Sequence, residues 1–343
     1  MISPQTLEIR RSTALRIGCF LLTMLLLCFA HPTYAADAVM PSRANIQTLV
    51  RPVTPKGTAA VVGLFGATQS RFYGFGPING SIQNRIFSAS TLKAPFTGSL
   101  LAEAILRGRL LITAPLKTMI PETTIPKFGD SPLTLFDAAS LQVSFAPLQL
   151  HLEHTTFAWP GGIIHQADLT PTAAPAIFHA DYPAIQTGLV AYALTHRMKT
   201  DFPRLAEQNL FRPMHMDTAH ITEDGQVHLS VHDMATFVTA NLGRTTSEIF
   251  TILRLTHLAR VQMPQTPGQF TGLLWRIFNT EGQEYVYHVG HDSNGSVSVF
   301  LDPVNNIAFF ILTDADVDVS TLFQTGLHGI QSLRQLHGEM AQR

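Results

Sequence analysis

Strand patterns stand at both ends of this chain and helix patterns fill its middle, which leaves few ways to build a core. Residues 58–65 are small and β-branched, and 71–75 are aromatic. Gly66-Ala-Thr-Gln69 lies between them, so the stretch predicts a β-hairpin. Before it, 46–50 predicts a short helix ended by Pro52 and Pro55. From 95 to 106, Phe96, Leu100, Leu101, Ala104 and Ile105 recur at helical spacing, and Gly108 stops the run. Further helices are predicted over 133–140, 183–198, 202–210, 231–242 and 246–258, between Pro-rich loops. Strand patterns return at 273–279, 284–289, 296–301 and 307–312, and a final helix covers 320–336. The economical solution is one α/β domain. Its sheet comes from both ends (about 45–86 and 266–343), and an all-helical region (about 87–265) is inserted between them. A ligand cleft is expected where the two regions meet.

Composition narrows the classes. The 343 residues are 45% hydrophobic and only 14% charged, which excludes a disordered or coiled-coil protein. A net charge of −1 gives no electrostatic footprint for nucleic acid. The two cysteines, Cys19 and Cys28, build no disulfide scaffold. Both fall in a basic, then apolar, then small-residue sequence: Arg10, Arg11 and Arg16, the run 17–30, and a cleavage site near Ala35. That order predicts a secretory signal over 1–35 and a processed, exported chain of 36–343. The run is short for a membrane span, so no stable membrane insertion is expected after cleavage. Cys28 follows three leucines, which disfavours a lipid anchor, and Arg10-Arg11 leaves the general and twin-arginine routes both open. Losing three arginines and Glu8 turns 23 basic and 24 acidic residues into 20 and 23, a net charge of −3.

One pair of residues carries the chemistry. Ser90 and Lys93 lie three apart at a predicted helix start, on one face. A serine hydroxyl is a poor nucleophile until a base takes its proton. A partly desolvated lysine can have the lowered pKa needed to help. The helix N-terminus favours the negative charge that develops. The plainer reading is an N-cap serine and a surface lysine. Against it, Lys93 is one of five lysines and sits in an otherwise apolar helix.

The surrounding motifs decide between these readings. Ser90-Thr-Leu-Lys-Ala-Pro-Phe-Thr-Gly98 is followed by a helix ending at Gly108, Leu110-Leu-Ile-Thr-Ala-Pro115 and Pro121-Glu122. Leu133-Thr-Leu-Phe136, Ala146-Pro-Leu-Gln149, Leu210-Phe-Arg-Pro-Met214 and Ser230-Val-His-Asp-Met-Ala235 come later in order. This series resembles the serine β-lactamase and penicillin-binding-protein superfamily, and class C β-lactamases in particular, over about 46–335. The resemblance implies a β-lactamase/transpeptidase-like fold with an antiparallel sheet. It implies Ser90 as nucleophile, Lys93 as its proton partner and Gln149 as a substrate-binding glutamine. His288-Val-Gly290 stands where the family has Lys-Thr-Gly or His-x-Gly on the strand beside the nucleophile. His288 is therefore expected near a substrate carboxylate, and Gly290 is expected to permit close approach. The backbone N–H groups of Ser90 and Val297 are expected to hold the oxyanion.

The family's Tyr-x-Asn is replaced by His179-Ala-Asp181. A histidine titrates nearer neutral pH than a phenol, so His179 is the expected base. Asp181 would contact the substrate amide and would tend to hold Lys93 protonated. The fifteen histidines include pairs at 151/154, 228/232 and 288/291. None comes with the Glu or Cys neighbours of a known metal motif, so no metal and no cofactor is expected. The expected partner is a small molecule, a β-lactam or a peptidoglycan peptide, and the expected state is a monomer. β-Lactam hydrolysis comes first. The alternatives are a D-Ala-D-Ala carboxypeptidase, an esterase, and a catalytically impaired penicillin- or peptidoglycan-binding protein. The chain is very short between Ile221 and Gly225, where class C enzymes carry a long excursion, which implies an open site.

Overall fold

A computed structural model describes residues 40–120, 127–128, 131–140, 143–145, 171–173, 182–245, 248–258, 260–263, 267–280 and 282–341. The signal-like segment, Gln149, His179 and Asp181 lie outside them.

The chain opens with helix α1 (Arg43–Val50), capped by the Ser42 hydroxyl, and a 3₁₀ turn that takes up Pro52. Strands β1 (Ala60–Phe65) and β2 (Ser70–Phe75) follow as the predicted hairpin. Next come β3 (Ile86–Ser88), a 3₁₀ turn (Ser90–Leu92) and helix α2 (Lys93–Leu106). The middle contains α3 (Tyr182–Met198), β4 (His220–Ile221), β5 (Val227–Ser230), α4 (Val231–Asn241) and α5 (Glu248–Thr256). The end contains β6 (Val261–Gln262), β7 (Gln269–Thr271), β8 (Arg276–Thr280), β9 (Gln283–Asp292), β10 (Gly295–Asp302), β11 (Ile307–Thr313) and α6 (Val319–Ala341).

Both ends of the chain share one eight-stranded antiparallel sheet, ordered β6-β7-β8-β9-β10-β11-β1-β2. The N-terminal hairpin docks on β11, with Val62 opposite Ile311. These central strands read as unbroken apolar runs because both faces are covered. On β11, Ala308, Phe310 and Leu312 join the core under the helical region. Ile307, Phe309 and Ile311 join a second core with residues of α1 and α6. Alternate residues thus face opposite sides, as a period of two requires.

The inserted region is mainly helical but also holds a small sheet, β3-β5-β4, that its sequence pattern does not announce. Strand β6 likewise begins before residue 266. The segment predicted as one helix from 202 to 210 is α-helical over Phe202–Ala206 and a π turn over Glu207–Phe211. Helix α2 is buried on nearly every side from Ala94 to Ala104, the pattern of a core helix. Phe96 packs edge-on against Phe211 and Phe237, at centroid distances of 5.2 and 5.0 Å. Gly98 lets the helix approach the sheet region: a Cβ there would lie 2.2 Å from the Leu273 carbonyl oxygen. Among the described residues no helix is long and apolar enough to cross a membrane.

Candidate active site

The small sheet fixes the position of Ser90. Strand β3 runs straight into it, with Ser88 opposite His228 on β5. The next amide, Ala89 N–H, donates to the Val227 carbonyl at 2.8 Å. Strand β5 is anchored in turn at its C-terminal end, where α4 begins. Ser230 caps α4 in a capping box with Asp233, whose buried carboxylate accepts from Ser230 N (3.0 Å), Ser230 Oγ (2.9 Å) and the Thr218 hydroxyl. The Ser-x-x-Asp part of that family motif therefore does structural duty here.

Ser90 itself is only 7% exposed. Its Oγ donates to Gln226 Oε1 and accepts from the Val227 N–H at 3.3 Å. Gln226 arrives on a tight turn. Gly225 N–H donates to Thr222 O at 2.9 Å, and Thr222 N–H donates to Gln226 O at 2.9 Å. This is the abbreviated stretch after Ile221. Sequence reasoning registered its shortness but missed Gln226, since a lone glutamine carries no chemical signature of its own.

Lys93 is the first residue of α2, one turn after Ser90. Burial pulls its pKa from 10.5 down to about 8, against the opposing pull of the Asp292 and Asp224 carboxylates. A cation loses hydration when it is buried, so the neutral amine gains. Lys93 is thus close to the pH range in which a lysine can accept a proton.

The third element is an open strand edge. Strand β9 pairs with β8 from Gln283 to Tyr287, but with β10 as far as Asp292. The last five residues of β9 therefore have no described strand on the β8 side. In an antiparallel ladder, successive residues send their N–H and C=O to opposite sides. Asn279 N–H donates to Gly268 O, on the β7 side of β8. Phe278 consequently faces β9 and its partner Tyr285 faces β8. By the same alternation the backbone groups of Val289 and His291 face the open edge, while Gly290 faces β10.

This register corrects the expectation for Val297. Val297 lies on β10, between two paired neighbours, opposite both Gly290 and Leu312. Its N–H belongs to the β9–β10 ladder and its side chain is 1% exposed in the core, so it has no donor to offer a substrate. Gly290 lies where close approach is needed. A Cβ there would come within 2.7 Å of Thr91 Cβ and 2.8 Å of Thr91 Cγ2, in the turn that carries Ser90.

His288 stands at the start of this open edge. It is 8% exposed, and its Nε2 is buried without a hydrogen-bond partner. Burial, with a smaller contribution from Arg276, depresses its pKa to about 3, against a weaker effect of the Thr91 backbone. The ring is therefore neutral at working pH and presents no charge to a carboxylate. His291, at the open edge, holds Asp316 Oδ1 at 2.5 Å through Nδ1. Of the other paired histidines, His228 stacks on His220 with centroids 5.4 Å apart. The roles expected of Gln149, His179 and Asp181 fall outside the described residues.

A family model described as beta-lactamase matches residues 69–324. Among proteins of curated function none matches the chain. Among solved structures, a class C beta lactamase from Rhodobacter sphaeroides is similar, with a TM-score of 0.65 and 16% sequence identity. That match covers 84% of this chain and 98% of the other, and at such identity it speaks for the fold. The family match takes in the Ser90 turn, the capping box and the open strand edge together: this chain belongs to the β-lactamase family.

Proposed function

We propose that the protein is an exported serine hydrolase that cleaves an amide or ester through an acyl-Ser90 intermediate. The observation that carries this reading is the Ser90–Lys93 pair, one helical turn apart, in a turn packed against the open end of β9. The Ser90 hydroxyl leaves Gln226 and gives its proton to neutral Lys93 as Oγ attacks the carbonyl carbon. The N–H groups of Ser90 and of His291 receive the developing oxyanion, His291 taking the place first expected of Val297. Lys93 then passes its proton to the leaving amine or alcohol. Water attacks the acyl-enzyme by the same route, and Ser90 is regenerated. His179 would share in this proton traffic, and Gln149 and Asp181 would contact the acyl side-chain amide.

Opening of a β-lactam ring is the reaction the family suggests first. D-Ala-D-Ala carboxypeptidase and ester hydrolysis use the same steps. The test compares wild type with Ser90→Ala on a chromogenic cephalosporin and a p-nitrophenyl ester. Turnover that vanishes in the variant supports the proposal, and the faster substrate identifies the reaction. No reaction with either would favour the peptidoglycan-binding alternative and overturn it. The segment 1–35 is proposed as the export signal, and mass spectrometry of the secreted chain would read cleavage near Ala35.

A further inference from the structure

We propose that the acyl donor for this site carries no carboxylate beside its scissile bond, and is instead an uncharged or cationic ester or amide. The inference rests on the Ser90 hydrolase reading and selects within it: β-lactams and D-Ala-D-Ala peptides both carry that carboxylate, so it favours ester or simple amide hydrolysis over them.

Two observations carry it. First, the side chain at the start of the open edge is His288, which is buried beneath the Thr91 turn and uncharged. It supplies no positive charge where a carboxylate would need one. Second, among the described residues the Asp292 and Asp224 carboxylates act on Lys93. Asp292 lies on β9, and the strand's period of two puts its side chain on the same face as His288 and Gly290. Asp224 lies on the turn that brings Gln226 to Ser90. When Lys93 gives up its proton to act as base, these two acids are left uncompensated by it. Asp316 adds a third carboxylate beside His291.

Two guanidinium groups near this end of the fold have other partners, although the charge of Arg276 still reaches the buried His288 ring. Arg85 pairs with Asp314 at 3.3 Å. Arg276 lies opposite Tyr287 in the ladder, on the other face of the sheet from His288. A carboxylated substrate would therefore meet like charge, and like charges brought together act against binding.

The experiment uses three phenylacetylglycine esters with one acyl group. The leaving group is phenol, its meta-carboxylate or its meta-trimethylammonium derivative. Values of kcat/KM are measured at pH 8 and each is divided by that ester's rate with hydroxide, which removes the substituent's electronic effect. The expected order is cation at least equal to neutral, with the carboxylate slower by about tenfold. Asp292→Asn should narrow the neutral-to-carboxylate ratio at least about threefold, and Asp224→Asn should narrow it less. The ratio cancels any change in Lys93 ionisation. Preference for the carboxylated ester, or a ratio unmoved in both variants, overturns this inference and leaves the hydrolase reading standing. Cleavage of no ester above the level of Ser90→Ala overturns both.

Discussion

The rate of acylation should follow the ionisation of one amine. With Lys93 at about 8, roughly one molecule in eleven carries the neutral amine at pH 7, and half do at pH 8. Acylation of Ser90 should therefore rise about fivefold between those pH values and level off above pH 9. An ordinary lysine at 10.5 would instead give a tenfold rise per unit through pH 9 with no plateau. The perturbation that isolates the cause is Asp292→Asn. Asp292 is the larger of the two carboxylate influences that hold the proton on Lys93. Removing its charge lets burial act with less opposition, so the midpoint should move to lower pH. Asp224→Asn should move it in the same direction by less. The assay is kcat/KM for a p-nitrophenyl ester from pH 6 to pH 10, corrected for the hydroxide rate. A midpoint near 10, or a shift to higher pH in Asp292→Asn, would refute the assignment of Lys93 as proton acceptor.

The same contacts set three further outcomes. The folded-state pKa of Lys93 lies below its unfolded value, so between about pH 8 and 10.5 the unfolded chain binds the extra proton and stability rises with pH. Below pH 8 the buried charge opposes folding, and Lys93→Met should stabilise the protein at pH 7 by about 2 kcal/mol in urea unfolding. A less stable variant would contradict this. Gly290→Ala drives a methyl group into Thr91, and should cost about 1–3 kcal/mol of stability and most of the activity. Adding Thr91→Gly should recover part of both, and no recovery would show that the collision is not the cause. Asp233→Ala breaks the capping box and strands the Ser230 and Thr218 donors, so the unfolding free energy should drop by about 2–4 kcal/mol. A loss under about 0.5 kcal/mol would deny the box that role.

Much of the frame was legible in the sequence. The hairpin at 60–75, the strands from 276 to 313 and helices α2, α3 and α4 all announce themselves by period and by punctuating Gly and Pro residues. Strand β3 did not: three residues carry no period, yet its pairing with β5 is what holds Ser90. Val297 was misplaced because β9 and β10 are hairpin partners, with Gly290 directly opposite Val297. A hairpin's residues are readable, but which of its two strands keeps a free edge depends on where β8 stops. The burial of His288 was invisible for a similar reason. It depends on the Thr91 turn seating on Gly290, a contact between segments about 200 residues apart. Ser90 and Lys93 were legible because their spacing is local, and the amine's depressed pKa follows from the core burial of the helix they begin.

The central claim is covalent bond formation at Ser90, and the acyl-enzyme measures it directly. Wild type, Lys93→Met and Ser90→Ala are each mixed with a slowly released acyl donor, acid-quenched, and weighed intact. Peptide mapping then locates the adduct. One acyl group per chain on the peptide containing Ser90, formed far more slowly in Lys93→Met and absent in Ser90→Ala, is the predicted result. An adduct on any other residue, or hydrolysis that survives in Ser90→Ala, would contradict it.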